Sequence, residues 1–253
     1  MNAIEDNSYR RSWQALGAKF GSKWPRPQLI VCVSAHWLTQ GWQLTAMAQP
    51  KTIHDFWGFP QALFDQQYPA PGFPAAAEEI SKLLKQPGTK LPLALDVATW
   101  GLDHGTWSVL KPMFPAADIP VMQLSMDPSG LPEDHFALGQ QLKGLRSRGV
   151  LIVGSGNFVH NLRTMQPGAA PNQAYDWAIE FDQTVAGYLE NGDFAALQRY
   201  QSIKTAALAH PTDEHFLPLL YAAGAVDTTE VPQFFNTSYQ AASIAMRSVV
   251  WGG

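Results

Sequence analysis

The 253-residue chain has one cysteine, Cys32, so no disulfide can form within it, and a reducing, cytoplasmic setting is the expectation. Charge is scarce too. Asp, Glu, Lys and Arg make up 15% of the residues and the formal net charge is −4, which does not suit a nucleic-acid partner, since that needs a basic face. No apolar run reaches the roughly 18 residues of a membrane span, and the polar opening "MNAIEDNSYRRSW" carries no secretory signal. Three motif classes are missing as well: GxSxG, the Walker sequence and GxGxxG. The "GSGN" turn at 154–157 lacks the spacing of a dinucleotide fingerprint. Serine nucleophiles and nucleotide binding therefore lose their usual support.

Hydrophobic residues supply 46% of the chain, enough for a full core in one domain over 1–253. Apolar runs at 29–35, 41–48, 93–97, 119–126 and 150–155 read as strands. Helical periodicity covers 7–20, 74–86, 132–149, 175–191, 193–202 and 210–225, with a short helix inside 103–114. Gly149 is the expected C-cap of the helix before it, and the tail supplies strands at 231–237 and 241–250. Strands alternating with helices predict an α/β fold, with a central, mostly buried mixed sheet flanked by helices. The segment "TIHDFWGFPQALFDQQYPAPGFP", 52–74, is too apolar for a linker and is expected to pack as a wall.

The seven histidines carry the functional signal. His36 ends "LIVCVSAHW" and His160 follows "VLIVGSGNFVHN", both just past buried strands, where the loops of an α/β sheet form ligand crevices. One such histidine can simply pack under a loop; two in matching positions favour a site. His104, in "LDHGTW", opens a helix. In "HPTDEHFLPLL" Thr212 is the expected N-cap, which puts His215 in the first helical turn. There the helix dipole disfavours imidazolium, and a neutral imidazole is what a metal needs. His210 is expected to donate from behind, and His135 to lie solvated on a polar helix face. Imidazoles converging from loops suit Zn or Fe and suit Mg or Ca poorly.

Taken in order, "SAHW", "HDFWGFP", "YPAPG", "WGLDHGTW", "GSGNFVHNLR" and "HPTDEHFLPLLYAAGA" resemble the class III extradiol ring-cleavage dioxygenases, in the branch called 4,5-DOPA dioxygenase extradiol. The resemblance implies one divalent metal, Zn(2+) or Fe(2+), at the strand ends, with His36, His160 and His215 as its ligands. It also implies that His104 and His160 are catalytic and move protons. The implied partners are O2 and a small aromatic substrate, a catechol such as 3,4-dihydroxyphenylalanine. By position, His54, Trp37, Phe56 and Trp107 are the expected pocket. No nucleic acid or membrane partner is expected, and the chain is expected to be a monomer or small homo-oligomer. The family pattern opens on a strand ending in Gly-His-Gly-Ser-Pro-Met-Asn, whose histidine is the first metal ligand. The sequence here begins at Met1 and Asn2 with no counterpart, and a start placed downstream of that strand is the expectation. Two other readings stay open: a zinc-dependent hydrolase, and a non-enzymatic binding protein on the same fold.

Overall fold

A computed structural model describes residues 4–170 and 172–252; Met1 to Ala3 of the opening motif lie outside the described residues. Helix α1 (Ser8–Gly17) is capped by Asn7, whose side chain accepts the Arg10 backbone N–H. Strands β1 (Leu29–Leu38) and β2 (Gln43–Thr45) follow. The apolar wall segment then contributes β3 (Lys51–Thr52) and one turn of helix, α2 (Gln61–Phe64). Next come α3 (Pro74–Leu83), β4 (Ala94–Asp96), β5 (Gly101–Leu102) and α4 (His104–Met113). Strand β6 (Val121–Met126), α5 (Pro132–Arg146) and β7 (Val150–Ser155) complete the α/β portion. Helices α6 (Asp176–Glu190), α7 (Phe194–Gln198), α8 (Ala206–Ala209) and α9 (Leu217–Gly224) lead into the tail. The tail holds β8 (Gln233–Phe235), β9 (Tyr239–Gln240), β10 (Ile244–Ala245) and β11 (Ser248–Val250), which pair antiparallel as β8 with β11 and β9 with β10.

The central sheet has the order β4-β2-β6-β1-β7 and is mixed: β1 runs parallel to β6 and β7, while β2 is antiparallel to β6. Flanked by strands on both sides, β1 satisfies its backbone groups within the sheet and can bury both faces. Its side chains alternate accordingly. Val31 and Val33 enter a core with Leu124, Leu142 and Leu220, while Ile30 enters a second with Leu102, Trp107 and Leu110. This two-faced burial explains the unbroken apolar run that opens the site motif. Among the described residues, no helix is long and apolar enough to cross a membrane.

The sheet ends at β7, whose outer edge pairs with no other strand among the described residues. A groove of about 400 Å³ runs beside it, walled by Trp13 and Leu16 of α1, Leu219 and Ala222 of α9 and Val249 of β11. One end of the groove reaches Ser155, Asn157 and His215.

Three local expectations need correction. Helix α5 stops at Arg146 with Ser147 as its C-cap, and Gly149, at φ +77°, instead turns the chain into β7. The helix expected over 210–225 begins only at Leu217. Thr212 spends its hydroxyl on Glu214, 2.8 Å away, and residues 211–216 form turns, so the dipole argument for His215 does not apply. His135 is fully buried and not solvated. Its Nδ1 lies 2.7 Å from the Tyr221 hydroxyl, which also accepts the Trp42 indole N–H at 2.7 Å. Charge periodicity on α5 cannot reveal a partner contributed by α9.

Burial lowers the His135 pKa from 6.5 to about 4. The unfolded chain therefore binds the extra proton first as pH falls, so this group's contribution is intact above pH 6.5 and lost on the way down to about 4. That loss is about 2 kcal/mol between pH 8 and pH 5. Denaturant titrations of the wild type and of His135→Gln should show a shallower acid loss in the variant by that amount. Unpaired edges also invite strand-to-strand association. Sedimentation velocity should show concentration-dependent association that Val153→Lys, on β7, suppresses; identical profiles would mean that the edge is already shielded.

Candidate metal centre

Four of the histidines singled out above converge. His36 is delivered by the end of β1, and His104 is the first residue of α4, behind the N-cap Asp103. His160 follows β7, held by its backbone N–H to Ala209 O at 3.0 Å. His215 sits in the turn before α9, where its carbonyl accepts the Asn157 N–H at 2.8 Å. Their rings form a chain of contacts. His36 and His104 lie 3.9 Å apart between centroids, His36 and His215 5.2 Å, and His160 and His215 stack at 3.4 Å with planes 7° apart.

Two glycines make this proximity possible. A Cβ on Gly156 would fall 2.2 Å from the His215 carbonyl oxygen, and one on Gly105 would fall 2.4 Å from Ser34 Oγ and 2.9 Å from His36 Cδ2. The "GSGN" turn that failed as a nucleotide motif thus serves to seat the His215 turn against β7.

Burial disfavours charge on His36, His160 and His215. Desolvation and the neighbouring His36 push His160 down to about 4. Desolvation, followed by the surrounding histidines, holds His215 well below the ordinary imidazole value. His36 is lowered by desolvation and by His104, against the pull of Asp103 and Asp55. The neutrality expected of His215 is present, with burial as its cause. His210 is also buried, lowered to about 4 by desolvation, and its Nε2 donates to Phe158 O at 2.9 Å, two residues before His160.

Asp55 was not singled out from the sequence, yet it lies in the middle of the site. Its Oδ2 is 2.9 Å from His104 Nδ1 and 3.4 Å from His36 Nδ1, and its Oδ1 accepts the His104 backbone N–H at 2.9 Å. Burial raises its pKa, but the contacts with His104 and then His36 outweigh that and hold it below the usual carboxylate range. Asn157 was missed as well; its Oδ1 lies 3.2 Å from His215 Nδ1. Both residues sit in irregular loops and meet histidines far away in the chain, so neither periodicity nor spacing marks them.

The expected pocket residues divide. Phe56 is buried with its ring edge-on to His104 at 5.4 Å. His54 and Trp107 gather around Phe56 beneath the wall loop, with His54 Nε2 on Gln66 O and the Trp107 indole donating to Ile53 O. Trp37 is buried and stacks on Trp100 at 5.8 Å. Trp57, on the same loop as Phe56, is 87% exposed.

The donor set fits a divalent transition metal. His215 has Nδ1 hydrogen-bonded to Asn157 Oδ1, which as an acceptor leaves Nε2 as a free lone pair, and His36 Nδ1 lies 3.4 Å from Asp55 Oδ2. That arrangement, with one ring nitrogen committed to an outer acceptor, is typical of metal-bound histidine. His36, Asp55 and His104 also bring ligand atoms within 4.8 Å of one another.

The chain is 46% identical over 255 residues to "4,5-DOPA dioxygenase extradiol" of Escherichia coli strain K12, covering 100% of this chain and 91% of that protein. It is 37% identical over 247 residues to the Beta vulgaris protein of the same name, covering 94% and 88%. A crystal structure of an uncharacterized Escherichia coli K12 protein superposes with a TM-score of 0.82 at 41% identity, covering 97% of this chain and 93% of that one. Residues 6–248 match the family described as the catalytic LigB subunit of aromatic ring-opening dioxygenase. The chain therefore belongs to this family of ring-opening oxidoreductases.

Proposed function

We propose that this protein is a metal-dependent extradiol dioxygenase acting on a small catechol, 3,4-dihydroxyphenylalanine or a close analogue. The ring would open beside its two hydroxyls, and both atoms of O2 would enter the product. The observation that carries the reading is the convergence of four imidazoles, three of them held neutral, on one crevice at the end of the sheet. The names of the relatives support the substrate class. The unpaired, buried Cys32 fits a reducing cytoplasm.

His36 and His215 would hold the metal, His215 through Nε2, since its Nδ1 is hydrogen-bonded to Asn157. When bound, Fe(2+) supplies two-point attachment of a catechol and the electrons for oxygen chemistry, which Zn(2+) cannot. His160 is assigned to proton transfer, because among the described residues no side-chain hydrogen bond fixes either of its ring nitrogens. Lowered to about 4, it is neutral at physiological pH and starts as an acceptor for a catechol hydroxyl proton. His104 takes the second proton-handling role, placed 3.9 Å from His36. Phe56, packed on His104, gives the ring an apolar side.

The test is anaerobic reconstitution with Fe(2+), then addition of the catechol and air, following oxygen uptake and the yellow semialdehyde. One O2 should be consumed per ring opened. His36→Ala and His215→Ala should lose bound metal and turnover together. His160→Ala should keep its metal while kcat falls about 10²- to 10⁴-fold. Unchanged metal content and turnover in His36→Ala would overturn the assignment.

A further inference from the structure

Asn157 grips His215 at two points. Its backbone N–H donates to the His215 carbonyl at 2.8 Å, and its side-chain Oδ1 lies 3.2 Å from the ring Nδ1. Which end of the amide faces the ring matters, because an NH2 group there would donate and leave the ring hydrogen on Nε2. The tail of the chain decides it. Asn157 Nδ2 donates to the carbonyl oxygen of Ala245, on β10, at 3.2 Å. A carbonyl oxygen only accepts, so the amide nitrogen must face Ala245 and the amide oxygen must face His215. The imidazole then donates from Nδ1 and keeps its lone pair on Nε2.

Strand β10 is a firm support for this arrangement. Asp182 of α6, 1% exposed, accepts Arg247 Nε at 2.8 Å, Arg247 Nη2 at 2.7 Å and the Tyr239 hydroxyl at 2.8 Å. Both ends of the β9–β10 hairpin are thus fastened to one helix. The same strand brackets His160 in an antiparallel bridge. Ala245 donates its N–H to Val159 O at 3.0 Å, and the Ser243 carbonyl accepts the Asn161 N–H at 3.2 Å.

We propose that Asn157 is a positioning residue: with its amide turned by the Ala245 carbonyl, it fixes the tautomer and ring direction of His215 so that Nε2 is presented to the metal. The proposal rests on the reading of the site as a metal centre. Direct ligation by Asn157 is the alternative. Its amide oxygen, a hard neutral donor, suits Mg or Ca, whereas the imidazoles around it select Zn or Fe. A tail strand that contributes no ligand thereby determines which nitrogen of His215 meets the ion.

The experiment is nitrogen NMR of the full, metal-free chain with isotope-labelled histidine, which tells a hydrogen-bearing ring nitrogen from a bare one. His215 is identified by the signal missing from His215→Gln. In the wild type the hydrogen should sit on Nδ1. In Asn157→Leu, which keeps the branching and loses both polar ends, the two tautomers should mix. Asn157→Asp, still an acceptor, should return the hydrogen to Nδ1. Co(2+) is titrated into each chain, with affinity read by chelator competition. Asn157→Leu should bind it about 10- to 100-fold more weakly, with an unchanged visible spectrum. A wild-type His215 with its hydrogen on Nε2 would overturn the proposal, a result that can be read even if Asn157→Leu fails to fold. Unmixed Nδ1–H or wild-type affinity in Asn157→Leu would overturn it too, and a changed spectrum with binding abolished would make Asn157 a ligand instead. A wild type with the expected tautomer that binds no Co(2+) would fail the metal-centre reading alone.

Discussion

The buried carboxylate of Asp103 is where β1, β6 and α4 are tied together. Its Oδ1 accepts the Ser34 hydroxyl at 2.8 Å and the Thr106 N–H at 3.0 Å, and its Oδ2 accepts the Gln123 amide at 2.7 Å. Gln123 returns a contact through its own oxygen, to the Asp103 N–H at 2.7 Å. Ser34 lies two residues before His36 and receives its backbone N–H at 3.3 Å; Asp103 directly precedes His104. The spacing between the two rings is therefore set from beneath by hydrogen bonds inside the protein. A charge buried this deeply is tolerable only when its lone pairs are filled. Here they are filled by the very elements that carry the site.

The parts of this architecture that repeat along the chain were legible in the sequence. Apolar runs bounded by turn residues marked β1, β6 and β7, and helical periodicity marked α1, α3, α5 and α6, because burial imposes a period that one residue type after another must obey. The strand ends then located His36 and His160. Capping and exposure were less legible. Thr212, the expected cap, bonds its neighbour Glu214. His135 looks solvated by pattern and is buried because α9 brings Tyr221 over it. Asp55 and Asn157 were invisible for the same reason: each acts on a histidine 49 or 58 residues away, across loops without a period.

Desolvation unifies the cluster's chemistry. Packing imidazoles ring on ring in a half-buried crevice penalises every proton added, and each neighbour would repel the next charge. The result is three imidazoles, His36, His160 and His215, whose lone pairs stay available at neutral pH, with one carboxylate close by to balance an incoming cation. A dication gains a great deal from such surroundings.

The clearance at Gly105 bears on which parts of the crevice can be altered. With no room even for a methyl group between Ser34 and His36, a larger residue at 105 would displace both side chains. The loop at 56–59 is not crowded in this way. Trp57 projects into solvent beside Gly58, which has open space around it and a left-handed backbone. Truncating Trp57 should therefore leave the histidines in place, whereas the floor of the crevice depends on the volume of a single hydrogen atom.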